Sequence, residues 1–312
     1  MPLHETQQPG AIAPGAEADS PTLLVDPIEP APEPITLPGT VNCLVEVPDG
    51  ARLRVGGNFD TSELVRAAQL LAAGSITASA GISGRGEADI RAGGSLTARF
   101  AEAARLVVGR SLVLHREAIG CDILVHGSTH AADAAIIGGT LVAGRAVRVR
   151  VLGSDSAVPT RVVLGSVPLL EPLLQKLTPL HEELTAEHAA SKREFDKLNQ
   201  PGLRLDPRQK ERQTELSYRL HTLDQLLLRC MTTIENAGMQ VRKLRTVDLD
   251  VREAIHPGVI LVLGADEHTV RARIEGPIRI ARSQSGDLVY RREGDNSDRP
   301  MKMIASLRTR AR

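Results

Sequence analysis

From about residue 41 to residue 165, apolar and polar positions alternate in runs of three to six residues, and glycines punctuate the runs. Ile90 and Ala92 precede Gly93-Gly94, and Leu96, Ala98 and Phe100 follow. The pattern returns at an offset of sixteen: Ile90 and Leu106, Ala92 and Val108, Leu96 and Leu112, Ala98 and Leu114. Going backwards, Ala72–Thr77 matches Ala92–Thr97 at a shift of twenty, and going forwards Ile137–Gly144 repeats the Gly-Gly step. A loose period of 16 to 20 residues predicts a β-solenoid, in which each coil is a few short strands and successive coils stack about 4.8 Å apart. Gly74, Gly93, Gly94, Gly109, Gly138 and Gly139 are read as its corners, where a Cβ would oppose the turn. "AVRVRVLG" shows the alternation well, with Val147, Val149 and Val151 inward and Arg148 and Arg150 outward. An antiparallel sandwich also gives short strands and glycine turns, but it does not hold a near-constant offset between like residues. The aliphatic residue at every sixth position that left-handed hexapeptide helices require is not sustained.

Between 168 and 246 the period changes. Leu170, Leu173, Leu177, Leu180 and Leu184 follow 3-4 spacing; so do Leu216, Leu220, Leu223, Leu227, Cys230, Ile234, Ala237, Val241 and Leu244. These heptad seams predict an antiparallel coiled-coil hairpin inserted into the solenoid. Pro201-Gly202 ends the first helix. Asp206 suits the N-cap of the second, with Pro207 at its first position and Gln209 at its third. Arg242, Lys243 and Arg245 close it. Pro179 implies a kink or a late start, with Thr178 as an alternative cap, and Ser191 falls on the seam.

After 246 alternation resumes in "VDLDVREAIHPGVILVLG" and "TVRARIEGPIRIA", and residues 247–291 are expected to continue the same solenoid. The domain plan is therefore a disordered Pro/Ala-rich lead-in over 1–40, solenoid over 41–167, hairpin over 168–246, solenoid over 247–291 and a frayed polar tail over 292–312. The lead-in holds nine prolines, each of which removes a donor and fixes φ.

Composition narrows the function. Aromatic residues are 2% of the chain and tryptophan is absent, so no stacking platform for single-stranded nucleic acid exists. The 38 acidic and 38 basic residues cancel, leaving no net field toward nucleic acid or anionic lipid. Cys43, Cys121 and Cys230 form neither a metal spacing nor a disulfide framework; a reducing, cytoplasmic setting fits them. No signal peptide is read at the N-terminus, and no apolar run of about 18 residues predicts a membrane span.

Candidate chemistry is sparse. His126, His130 and Asp133, spaced four and three apart, are a candidate metal set. His115 and Glu117, two apart on a strand, are a candidate acid–base pair. A solenoid corner sends the first three outward separately, and a solvated pair is the plain reading of the second two. No phosphate loop, serine elbow, zinc or dinucleotide fingerprint occurs. No cofactor is expected.

Three stretches carry a family resemblance: "ARFAEAARLVVGRSLVLHREAIGCDILVHG", "AIIGGTLVAGRAVRVRVLGS" and "AIHPGVILVLG". Their order, with a coiled coil between solenoid halves, resembles the FapA-like family, named for flagellar assembly protein A, over roughly 41–290. His256 stands where the family pattern has tyrosine. The resemblance implies a bacterial, cytoplasmic, right-handed parallel β-solenoid bearing a helical hairpin, with no established catalytic residues and with links to flagellar assembly or polar placement in some members. The expectation is a non-enzymatic scaffold that binds a protein partner through the arm or the solenoid surface. Self-association through the solenoid ends, as a cytoskeletal-type assembly, is one alternative, and a cryptic polysaccharide-acting β-helix enzyme is another.

Overall fold

A computed structural model describes residues 21–166, 170–200, 205–243, 248–263, 266–283, 287–295 and 297–309. The chain winds as a β-solenoid with three faces, and each face is a ladder of strands from successive coils. On the first face Val41, Phe59, Ile76, Leu96, Leu112, Thr129, Val147 and Leu249 are consecutive register partners. On the second the column runs Leu53, Leu70, Ile90, Leu106, Ile123, Leu141, Val162 and Leu261. On the third it runs Val47, Val65, Ile82, Ala101, Ala118, Ile136, Leu152 and Ile255. Every residue of the three columns is buried. All these pairings are parallel, and the sixteen- and twenty-residue offsets are the rungs themselves: Ile90 meets Leu106, and Ala72 meets Ala92.

Burial of branched aliphatic side chains in a narrow column explains the shortage of aromatics, since each rung leaves about 4.8 Å for one layer of side chains. Of the rings, only Phe59 among the phenylalanines is fully buried. Where a face turns into the next, long strands such as Leu96–Val108 and Leu112–Val125 continue around the bend with a register shift.

The corner between the second and first faces is a second ladder. Gly74 N–H donates to Gly57 O at 2.9 Å, Gly94 to Gly74 at 2.8 Å, Arg110 to Gly94 at 2.9 Å and Arg145 to Gly127 at 3.0 Å. Beside it runs a row of polar side chains. Asn58 Oδ1 accepts from Ser75 N–H at 2.8 Å, Ser75 Oγ from Ser95 N–H at 3.0 Å, and Ser95 Oγ from Ser111 N–H at 3.4 Å. Gly74, Gly93, Gly94 and Gly109 therefore sit at one corner. Gly138 and Gly139 do not. They lie within the strand Thr129–Ala143, both at φ +70°, and make the bend between the third and second faces.

The C-terminal half departs from the expected continuation. Asp248–Ile255 and Val259–Leu263 add one further parallel rung. Beyond them the sense reverses. Ile278–Arg282 and Ile274–Glu275 pair antiparallel with Asp248–Ile255, and Asp266–Val270 pairs antiparallel with Val259–Leu263. Leu288–Arg292 and Arg299–Pro300 extend the first of these sheets. The tail is not frayed, because Ala305–Thr309 forms an antiparallel strand on Asp266–Val270. The described strands between Asp266 and Thr309 thus cover the last parallel rung instead of lengthening the coil. Alternation alone cannot tell the two apart, because both arrangements present one apolar face.

The lead-in is also partly ordered. Thr22–Leu24 pairs with Val41–Cys43, and Ile35–Leu37 with Arg52–Val55. Prolines flank these short pieces without entering them, which is how proline coexists with an outermost strand. The expectation for residues 1–20 lies outside the described residues.

Candidate functional site

The projection is built from two helices, α1 (Leu170–Leu198) and α2 (Pro207–Lys243). Before it, Gly165 N–H bonds Ala143 O at 3.0 Å, stacking on the corner rung of Gly144 and Arg145. After it, Leu249 takes the rung above Val147. In every other coil a few residues link the same two faces. Here the helices occupy that link, so the arm leaves and rejoins the solenoid at one corner.

At the start of α2, Gln209 N–H donates to Asp206 Oδ1 at 2.8 Å and Asp206 N–H to Gln209 Oε1 at 3.0 Å, a reciprocal capping box. Helix α1 runs unbroken through Pro179, and Thr178 does not cap it. Thr178 Oγ1 instead donates to Leu174 O at 2.9 Å, within the helix.

The two helices are tied along their length. Arg212 Nε bonds Glu194 at 2.8 Å, Arg219 bonds Glu187 at 2.6 Å, and His188 Nε2 lies 3.0 Å from Asp224. Cys230 Sγ approaches Leu177 O at 3.6 Å. Positions rise on one helix as they fall on the other. The guanidinium of Arg212 holds the Glu194 carboxyl below the usual carboxylate range through its hydrogen bond.

On α2, Leu216, Leu223, Cys230 and Ala237 are buried, and Leu220, Leu227 and Ile234 are half-buried between them. The side chain of Val241, together with Leu244, lies outside the described residues. On α1 the expected seam is wrong by one position in alternate steps. Leu177 and Leu184 face inward, but Leu173 is 38% exposed and Leu180 44%. The observed seam passes through Leu174, Leu177, His181, Leu184, His188, Ser191 and Phe195, all buried or half-buried. Leucines at 173 and 180 are also spaced by seven, so the more hydrophobic of two parallel stripes is the misleading one. Ser191 does lie on the seam and is buried.

The Glu187–Arg219 and Glu194–Arg212 pairs give the flank its register. The same spacing sets Leu180 opposite Leu226, and Leu226 is 42% exposed. One flank of the arm is therefore ionic toward its tip and aliphatic toward its base, through Leu173, Leu180 and Leu226.

The sequence-derived chemical candidates separate. His126 lies at the glycine corner, and His130 is exposed on the first face beside Arg148. Asp133 is held by Arg252 at 2.7 Å, while its carbonyl accepts from Arg150 at 3.1 Å. Among the described residues no group of three His, Cys, Asp or Glu side chains converges as a metal site. His115 and Glu117 straddle a register shift, which removes the two-residue rule that puts them on one face, and Glu117 pairs with Arg116 at 3.3 Å. His256 is buried with Nδ1 3.0 Å from Asp155 Oδ1 but without hydrogen-bond alignment. All three cysteines are free and buried, and burial pushes the Cys121 thiol up to about 11. Among the described residues no helix is long and apolar enough to cross a membrane.

A mainly β solenoid with two helices set into one corner is the class of protein that these features define. The model of the flagellar assembly protein A β-solenoid domain matches residues 34–287, and the chain belongs to that family. No curated protein and no solved structure matches the chain.

Proposed function

We propose that the chain is a non-enzymatic, cytoplasmic bacterial scaffold or adaptor that serves flagellar assembly or polar placement by holding a protein partner on its arm. In this reading the solenoid is a right-handed parallel coil, the usual hand where parallel strands are joined by crossovers, and α1 and α2 form an antiparallel coiled coil. The observation that carries it is the aliphatic flank of Leu173, Leu180 and Leu226, exposed on a two-helix projection whose own seam is filled. A partner helix can cover such a flank in the helix-in-groove manner. The outer carboxylates of the solenoid support a structural role as well: Asp89 is held by Arg91, Asp250 by Arg148 and Arg279, and Glu253 by Arg150.

The test replaces residues 170–243 with a short Gly-Ser loop and measures co-precipitation of flagellar-base proteins against the full chain. Loss of those proteins with an intact solenoid circular-dichroism spectrum supports the reading. Undiminished recovery by the armless chain overturns it. Leu180→Lys with Leu226→Lys is the finer version, since both positions are exposed and the arm still folds.

A further inference from the structure

In the glycine corner between the second and first faces, one column of successive rungs runs Gly57, Gly74 and Gly94, and then Arg110, Gly127 and Arg145. Two arginines thus stand two rungs apart, about 10 Å along the coil, with no side chain between them. None can be there, because a Cβ on Gly127 would collide with the carbonyl of Arg110. The gap is a recess of about 360 Å³, lined by both arginines and by Ser111, Ser128 and His126.

Neither guanidinium is engaged. Among the described residues the side chains of Arg110 and Arg145 make no hydrogen bond or ion pair, and both residues are exposed. Neighbouring outward arginines are held by carboxylates: Arg91 by Asp89, Arg148 by Asp250, Arg150 by Glu253 and Arg161 by Glu267. The three stretches that wind past the recess, residues 106–115, 123–132 and 141–152, hold four arginines and no acid. The flanking carboxylates lie aside or are already bound. Asp122, four residues before His126, is in register with Arg105. Asp248 precedes Leu249, which stacks over Val147, and it is held by Arg279 at 2.9 Å. At the arm's root, residues 167–169 and 244–247 lie outside the described residues, and their sequence includes Arg245 and no acid.

The lining selects the ligand. Two uncompensated cations call for an anion, and the hydroxyls of Ser111 and Ser128 add donors that suit an oxygen acceptor. A planar carboxylate is satisfied by one guanidinium fork, whereas a tetrahedral dianion has oxygens enough for two forks and the hydroxyls together. No aromatic ring lines the recess, so nothing there stacks on a nucleobase. No apolar side chain lines it either, so it cannot bury the body of a larger ligand. What it can recognise is the oxyanion itself.

We infer that this corner binds a phosphate-class dianion, free or at the end of a monoester, between Arg110 and Arg145, with Ser111 and Ser128 as further donors. The site lies one rung from the point where the arm leaves the coil, and it does not depend on what the arm binds.

The test titrates inorganic phosphate into the full chain at constant ionic strength and about pH 8, above the second phosphate pKa, with binding read by calorimetry and phosphorus NMR line broadening. The expected result is saturable binding of one phosphate per chain, with acetate about tenfold weaker. Arg110→Gln and Arg145→Gln are each expected to weaken binding about tenfold, the loss of one charge-assisted contact, and together to abolish it. Arg54→Gln, which removes another exposed guanidinium of the solenoid, should leave it unchanged. All three positions are exposed, so the melting temperature without phosphate should not move. O-phosphoserine separates the sources: binding about tenfold tighter than inorganic phosphate assigns a monoester, equal or weaker binding assigns the free ion, and either supports the site. No saturable phosphate binding, equal binding of acetate, binding unmoved by the double substitution, or an equal loss with Arg54→Gln overturns the proposal. The chain with residues 170–243 replaced must still bind phosphate, so failure of the arm reading and failure of this one are separable.

Discussion

Gly109 lies directly over Gly93: a Cβ on Gly109 would stand 2.2 Å from the Gly93 carbonyl oxygen. The obstacle is backbone, and the hydrogen bond from Gly109 N–H to Ala92 O fixes the rung spacing. Gly109→Ala is expected to destabilise the chain by about 3 kcal/mol, at the upper end of overpacking costs. Gly120 is the control. It has φ +59° with nothing within 4 Å of its missing Cβ, so Gly120→Ala meets backbone strain alone and is expected to cost about 1 kcal/mol. Urea denaturation of both variants checks the difference, and equal losses would contradict the stacking argument.

Thr129 interrupts an aliphatic column between Leu112 and Val147 and is fully buried, with no partner for its hydroxyl among the described residues. Thr129→Val keeps the shape and removes an unsatisfied polar atom, whose burial costs about 1–3 kcal/mol. The expected outcome is a rise in melting temperature. A fall would show that the hydroxyl has a role.

The capping box makes a local prediction. Asp206→Ala removes the acceptor of the Gln209 N–H, at about 1 kcal/mol. Hydrogen exchange should speed up over the first turns of α2, while the solenoid amides, which belong to a different packed unit, keep their protection. Loss of protection throughout would mean that the arm and solenoid unfold together.

His268 supplies a pH dependence. It is buried on Asp266–Val270, its Nδ1 has no partner among the described residues, and burial lowers its pKa against a smaller opposing effect of Asp266. The unfolded chain takes up a proton near the ordinary histidine value, whereas the folded chain resists it to lower pH. Stability from this group is therefore present above about pH 6.5 and lost as pH falls through the depressed folded value. His268→Leu should flatten that part of the stability–pH curve relative to the unsubstituted chain, read as melting temperature between pH 7 and 5. Parallel curves would remove the assignment.

The rungs were legible because like residues stack on like: the offset from Ile90 to Leu106 is a physical neighbour relation written into the chain. The capping box was legible because its partners are three residues apart. What the chain concealed depends on long-range partners. Asp266–Val270 looks like any half-buried strand, and only its pairing with Ala305–Thr309 reveals a cover. The aliphatic flank of the arm was hidden by its own strength, since Leu173 and Leu180 mimic a seam that runs one position away through His181. The metal candidates failed for a related reason: spacings of four and three gather side chains on a helix, whereas His130 and Asp133 lie on a bending strand.

Because the arm begins and ends at a single corner, its length is uncoupled from the winding of the coil. Residues could be added to or trimmed from the two helices in step, or a different module spliced between Ser166 and Asp248, and Leu249 would still land on Val147. The solenoid is in this sense a mount with one socket.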